Sequence, residues 1–235
     1  MWFKLKQKLK KWKILVPIRK LKKNIIDKKL IKITHKYGYD INTLLNVVLG
    51  DQFEYYAWSG TLLGVVRENA FIKYDNDMDY AITITNESVW EKLYLKLINS
   101  GFSYHHHFEY NGIITELAFR YKGVHVDFFG VYKEQNVGKY WFGARVKDKN
   151  YNENEFTPVE VKFNVVDGLT KKAIKNTLFN IPNFYHDFLV ANYGNNYMTP
   201  IKNVSVESEC GKRNFIDGAS LFYAKDINKF FGESV

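Results

Sequence analysis

The stretch WSGTLLGVVRENAFIKYDNDMDY, residues 58–80, decides how this chain is read. A small Ser59-Gly60 turn is followed, after a short helical run and a loop, by three alternating aspartates, Asp75, Asp77 and Asp79. The aspartates run into the alternating apolar segment MDYAITI. A side-chain period of two places Asp77 and Asp79 on one face of a strand and Met78, Tyr80, Ile82 and Ile84 on the other. Two carboxylates on one strand face repel unless a cation lies between them. A hard divalent cation suits them, because it takes oxygen ligands and shares them with substrate phosphates. The Ser-Gly turn adds backbone N–H groups and a hydroxyl that suit a phosphate. The combination predicts a metal-dependent phosphate-transfer site.

Downstream, VHVDFFGVY places Asp127 inside an apolar strand, a costly position for an acid unless it is paired or bound to metal. Around these residues the pattern predicts a helix over 40–50 ending at Gly50 and a short strand over Tyr55–Trp58. A helix follows from Thr61 to Glu68, then a strand over Asp77–Ile84 and a helix after Asn86 that closes at Gly101. Lys122-Gly123 marks a hairpin between strands Ile114–Tyr121 and Val124–Tyr132. A strand over Glu160–Asn164 and helices over 170–179 and 183–192 complete the list, the last opened by Pro182 and closed by Gly194. The tail beyond residue 200 shows little periodicity.

At 235 residues, 46% of them hydrophobic and 17% aromatic, the chain supports one catalytic body with an appended segment. The single cysteine, Cys210, excludes a disulfide framework and fits a reducing compartment. The formal charge of +9 is unevenly spread. Of 34 basic and 25 acidic residues, 14 and one lie in residues 1–36, leaving 20 and 24 in the rest. The body is therefore slightly acidic, which argues against a nucleic-acid polymerase and against nucleic acid as a partner.

Residues 1–36 form one expected unit and 37–235 the catalytic domain. In the first, Trp2, Leu5, Leu9 and Trp12 make a helical stripe among lysines, and Pro17 is expected to end or kink that helix. Basic amphipathic helices of this kind lie at anionic membrane surfaces, pack on a partner, or contact RNA; membrane docking suits the tryptophan edge best. The segment has neither the hydrophobic run of a signal peptide nor the length to span a bilayer.

Several readings compete at single residues. An EF-hand loop starting at Asp75 would need Gly and Glu where Tyr80 and Asn86 stand, and is rejected. His105, His106 and His107 invite a zinc reading, but a strand would put only His105 and His107 on one face, with no third ligand at a telling spacing. Lys73 faces either a donor phosphate or solvent. Asp75 stands either beside the metal or as a residue that shapes the turn. Trp58 and Tyr74 either stack on a base or pack in the core.

Ser59-Gly60-Thr61-Leu62-Leu63-Gly64, Arg67, Phe71-Ile72 and Asp75-Asn76-Asp77-Met78-Asp79 together resemble the signature of the LicD/fukutin family of the nucleotidyltransferase superfamily. Val126-Asp127-Phe128 matches a further family strand, and Pro182, Tyr193-Gly194, Tyr197 and Pro200 match the order of a closing segment. Tyr74, Lys73 and Asn76 depart from the usual Trp, Pro and Asp. The resemblance implies an α+β fold, a nucleotidyltransferase-like mixed sheet flanked by helices, here with a basic helical extension.

It also implies transfer of phosphocholine, glycerol phosphate or ribitol phosphate from a CDP-activated donor to a sugar hydroxyl of a cell-surface glycan, with release of CMP. Asp77, Asp79 and Asp127 would hold Mg²⁺, or Mn²⁺ in its place. Ser59, Gly60, Thr61, Arg67, Lys73 and Asp75 would bind substrate, with Arg67 neutralising charge on the departing CMP. A lipid-linked acceptor would fit a cytoplasmic protein held on the inner face of the membrane by residues 1–36. A nucleotidyltransferase proper, and a non-catalytic membrane-associated partner protein, are the competing functions.

Overall fold

The computed structural model describes residues 2–147, 149–200 and 212–232, with side chains from Leu21 onward except Lys22. The expected Trp2–Trp12 stripe and Cys210 lie outside the described side chains. Helix α1 spans Trp2–Leu49 and runs through Pro17, the position expected to end or kink a first helix. Residues 40–49 are the last turns of this helix and not a helix of their own, and α1 crosses residue 36 without interruption.

The described side chains of α1 change character along its length. Leu21, Ile25 and Ile26 are exposed, whereas Thr34, Tyr39, Ile41, Leu45 and Leu49 are buried. Asn42 fixes the helix in place: its amide donates to Thr177 Oγ1 at 2.8 Å and its carbonyl accepts from Tyr80 OH at 2.8 Å. The C-terminal part of α1 is thus integral to the body.

After a 3₁₀ turn at Gly50–Gln52, the chain forms β1 (Tyr55–Ala57), α2 (Ser59–Arg67), β2 (Asp77–Thr83) and α3 (Ser88–Asn99). Four long strands follow: β3 (Ser103–Tyr110), β4 (Ile113–Tyr121), β5 (Val124–Glu134) and β6 (Val137–Ala144). Then come β7 (Glu155–Asn164), β8 (Leu169–Ile174), β9 (Thr177–Pro182), α4 (Tyr185–Tyr193), β10 (Arg213–Phe215), β11 (Leu221–Ala224) and the single-turn α5 (Asn228–Phe231).

The expected α+β class holds, with a correction to its architecture. Strands β1-β2-β5-β4-β3 form a mixed sheet whose one parallel pair is β2–β5. The sheet continues through β11 and β7, and β6 bridges β7 back to β5, so six strands close a ring. Closure removes sheet edges, which an open sheet leaves to be protected by other means.

Two local expectations fail for traceable reasons. Residues 170–179, expected as helix, are the hairpin β8–β9, with Lys175 at φ 52° in the turn. Every second residue of β9, Thr177, Phe179 and Ile181, is buried, a period of two. Pro182 ends β9 and does not open α4, which starts at Tyr185; Gly194, at φ 83°, closes α4 as expected. The tail beyond 200 contributes β10, β11 and α5.

The sheet has two distinct faces. Met78, Tyr80, Leu117, Phe119, Val126 and Phe128 are buried on one, where α1 and α3 cover them; Tyr80 stacks on Phe128 at 5.6 Å. The other face carries Asp77, Asp79 and Asp127 and looks toward β6, β7 and α4. There Trp58 stacks on Phe188 at 3.6 Å, with Tyr140, Phe163 and Phe184 around it. Trp58 is therefore core, while Tyr74 is 63% exposed.

Candidate active site

Parallel pairing of β2 with β5 sets Asp79 directly beside Asp127 and Asp77 beside His125. One oxygen from each of Asp77, Asp79 and Asp127 lies within 4.8 Å of the others. This is the spacing of carboxylates that can share a cation, and it forms the only such group among the described residues.

The turn before α2 is built around Asp79. Trp58 N–H donates to the Asp79 carbonyl at 2.9 Å, Asp79 N–H donates to Thr61 Oγ1 at 2.9 Å, and Gly60 N–H donates to Asp79 Oδ2 at 3.0 Å. To present Gly60 N–H this way, Ser59 adopts φ 39°, a left-handed conformation that is strained for a residue with a Cβ. A Cβ on Gly60 would lie 3.0 Å from Asp75 Oδ2 and 3.3 Å from Asp79 Oδ2. The glycine is required because backbone and carboxylates approach this closely.

The expected substrate residues divide. Gly60 and Thr61 serve the aspartates directly, and Ser59 takes the left-handed conformation that presents the Gly60 N–H. Asp75 is half-buried beside the cluster. Arg67 is engaged elsewhere: its guanidinium pairs with Glu68 at 2.7 Å and donates to the Tyr197 carbonyl at 3.2 Å. It acts on Asp75 only through its charge. Lys73 is exposed in the loop leading to the aspartates.

Electrostatics at the cluster is unfavourable as it stands. Burial, then Asp77, Asp127 and Asp75, push the Asp79 carboxyl well above the usual range, against the help of Gly60 N–H. Burial, Glu116 and Asp77 do the same to Asp127, and burial raises Asp77. Asp75 is pushed up to about 7 by burial, Asp77 and Glu68. Buried like charges shift this way when nothing cationic offsets them. Asp127 Oδ1 is buried without a hydrogen-bond partner. The oxygen donor set, its spacing and this orphaned atom all fit a hard divalent cation.

Several neighbours of the cluster were not legible in the sequence. Glu116, 7% exposed on β4, is pushed up to about 8 by burial, Asp79 and Asp77. It reaches the cluster because Ala118 pairs with Asp127, which puts Glu116 on the same face two residues away. Tyr140 from β6 and Tyr193 from α4, both raised by burial and both sensing Asp79, form the facing wall. Alternation within TELAF would have put Glu116 and Ala118 on one face, but which face required the pairing of β4 with β5.

The family model for the LicD/FKTN/FKRP nucleotidyltransferase domain matches residues 52–167. The chain carries a LicD-family domain. The match spans the Ser-Gly turn, all three aspartates and Glu116, and ends before α4. It points to a transferase. No curated protein matches the chain.

Proposed function

We propose that this LicD-family domain transfers a phosphorylated alcohol from a CDP-activated donor to a sugar hydroxyl, using a divalent cation at Asp77, Asp79 and Asp127. The observation that carries the reading is the trio itself: three carboxylates within 4.8 Å, one with an unpartnered buried oxygen, beside a backbone turn built to hold them. When bound, Mg²⁺ or Mn²⁺ would neutralise the diphosphate and fix its orientation.

The protein's own groups account for the rest. Gly60 N–H holds the Asp79 carboxylate and Thr61 Oγ1 holds the Asp79 backbone N–H, which together fix the residue in place. The acceptor hydroxyl oxygen forms a bond to the phosphorus that carries the alcohol. The bond from that phosphorus to the bridging oxygen breaks, and CMP leaves with the electron pair. The hydroxyl proton passes to Glu116, which stands on the same sheet face as Asp127 and is not one of the three proposed metal ligands. Lys73, exposed in the loop that leads to the aspartates, is placed to meet the nucleotide phosphates.

The second half of the reading concerns location. Leu21, Ile25 and Ile26 are 61%, 60% and 56% exposed on α1, and Lys23, Lys28, Lys29 and Lys32 are exposed with them. A helix that offers both apolar residues and lysines to solvent suits an anionic membrane surface, and with it a lipid-linked acceptor. Among the described residues no helix is long and apolar enough to cross a membrane. The proposed site of action is the inner membrane face.

The test is ³¹P NMR of the protein with Mg²⁺ and CDP-choline, CDP-glycerol or CDP-ribitol, in turn. Release of CMP from one donor, absent in Asp79→Asn, supports the reading and names the alcohol. Consumption of CTP or ATP with every CDP-alcohol untouched would assign a nucleotidyltransferase instead.

A further inference from the structure

Beside the carboxylates, the same sheet face carries a group of opposite character. Strand β3 pairs Tyr104 with Phe119 and His106 with Ala118, so His105 is an extra residue in a β-bulge. Bulges re-aim side chains. Here the bulge sets His105 beside His106, with their Nδ1 atoms 2.6 Å apart, and sends His107 alone to the other face. His107 is fully buried there and bonded to Tyr104 OH at 2.7 Å, a structural histidine. The expectation that His105 and His107 share a face is thereby corrected.

His106 lies across Ala118 from Asp127, with its Nε2 3.8 Å from Glu116 Oε1. His125 pairs with Arg120, and its ring stands edge-on to His105 at 5.3 Å. The face is therefore divided. Asp77, Asp79 and Asp127 occupy β2 and β5, while His125, Arg120, His105 and His106 occupy β5, β4 and β3, with Glu116 of β4 bordering both groups. Ala118, the smallest side chain in the row, leaves a floor between the two halves. Two strand spacings, roughly 10 Å, separate Asp127 from His106.

This imidazole group does not make a metal site of its own, since no three of its ligand atoms converge as those of the aspartates do. Its chemistry is that of a multi-donor anion cradle. Burial and the Arg120 charge hold His105 and His106 neutral, at about 4 and about 3; one ring N–H is taken by the hydrogen bond between their Nδ1 atoms, so the pair offers one further N–H beside that of His125. Arg120 is exposed at the edge and adds a planar fork of donors. A phosphate monoester has three terminal oxygens to receive such donors.

We propose that His105, His106, His125 and Arg120 form the acceptor subsite, and that the acceptor carries a phosphate monoester near the hydroxyl that is modified. This rests on the transferase reading, because it places donor and acceptor on the two halves of one face. Binding of the phosphate is independent of the donor and of the metal.

The test uses the full chain, freed of metal with EDTA and labelled with ¹⁵N in its histidine rings. Inorganic phosphate and then glucose 1-phosphate are titrated in at neutral pH. The ring signals of His105, His106 and His125 are expected to move and saturate while His107 stays still, in Asp79→Asn as in the unaltered protein. Arg120→Gln, at an exposed position, and His106→Gln are each expected to weaken binding about tenfold, the scale of one lost charge-assisted contact. Rings that do not move, or a His107 signal that moves with the others, would overturn the subsite. Movement with Zn²⁺ and none with phosphate would overturn it too. A failure here leaves CMP release untouched, and loss of CMP release leaves this titration untouched.

Discussion

Asp79 is held by three backbone or side-chain hydrogen bonds yet is repelled by Asp77 and Asp127, so function and stability pull apart at this residue. Asp79→Asn keeps an acceptor for Gly60 N–H and removes the charge. Turnover is expected to fall roughly a thousandfold, the scale of a lost electrostatic group at a reacting centre. The metal-free protein is expected to melt about 3 °C higher at pH 8, since one buried like charge is gone. Calorimetry and CMP release check both; a lower melting temperature would mean that the carboxylate is held by a cation in the protein itself. Gly60→Ala tests the close approach of turn and aspartates. Its Cβ would sit 3.0 Å from Asp75 Oδ2, and a roughly tenfold to hundredfold loss of turnover is expected, with the fold retained. At this scale the sequence was most legible. Alternation alone put Asp77 and Asp79 on one face, and Asp127 stood out as an acid in an apolar run. Glu116 did not stand out, because its neighbours Thr115 and Ala118 give no sign of which side is buried against what.

Elements divide between those whose pattern is local and those that depend on pairing. α2, β2, α3, the β4–β5 hairpin and α4 follow from apolar periodicity and from Gly101, Gly123 and Gly194. The β8–β9 hairpin was misread as helix since LTKKAIKNTLF carries lysines and apolar residues that suit either period, and only β1 and α1 beside β9 decide between them. The β3 bulge leaves no mark in HHH, because it arises from the register with β4. Helix α1 makes two predictions. Removing residues 1–23 is expected to spare turnover on a soluble acceptor and to abolish pelleting with anionic liposomes; a truncated chain that still pelleted would refute the tether. Removing residues 1–45 also takes away Tyr39, Ile41, Asn42 and Leu45, and is expected to yield no soluble folded protein. Gly64→Ala, whose Cβ would meet the Ala70 carbonyl at 2.5 Å, is expected to cost about 2 kcal/mol or more, read by urea denaturation.

Across the whole molecule the two halves of the functional face pull stability in opposite directions with pH. Asp75 and Glu116 have folded values of about 7 and about 8, above their unfolded range, so their contribution is full below about pH 4 and lost as pH rises through 7 and 8. His105 and His106 on this face, and His107 on the opposite one, have folded values of about 4, 3 and 4, below the unfolded 6.5, so their contribution is full above 6.5 and lost as pH falls. Between pH 6.5 and 8 only the carboxylate trend operates. Melting temperature of the metal-free protein is expected to fall across that window, and Mg²⁺ is expected to flatten the fall. The ring closure that brings β6 and α4 over the aspartates could not be read from any single segment, since it depends on pairings as distant as β6 with β7 and β11 with β3. The most direct measurement of the central claim is a Mn²⁺ titration followed by electron paramagnetic resonance, with CDP present and absent. The unaltered protein is expected to show a saturable Mn²⁺ site that CDP tightens, and Asp77→Asn and Asp79→Asn are expected to lose it. Equal Mn²⁺ binding by all three proteins would contradict the assignment of Asp77, Asp79 and Asp127 as the metal centre.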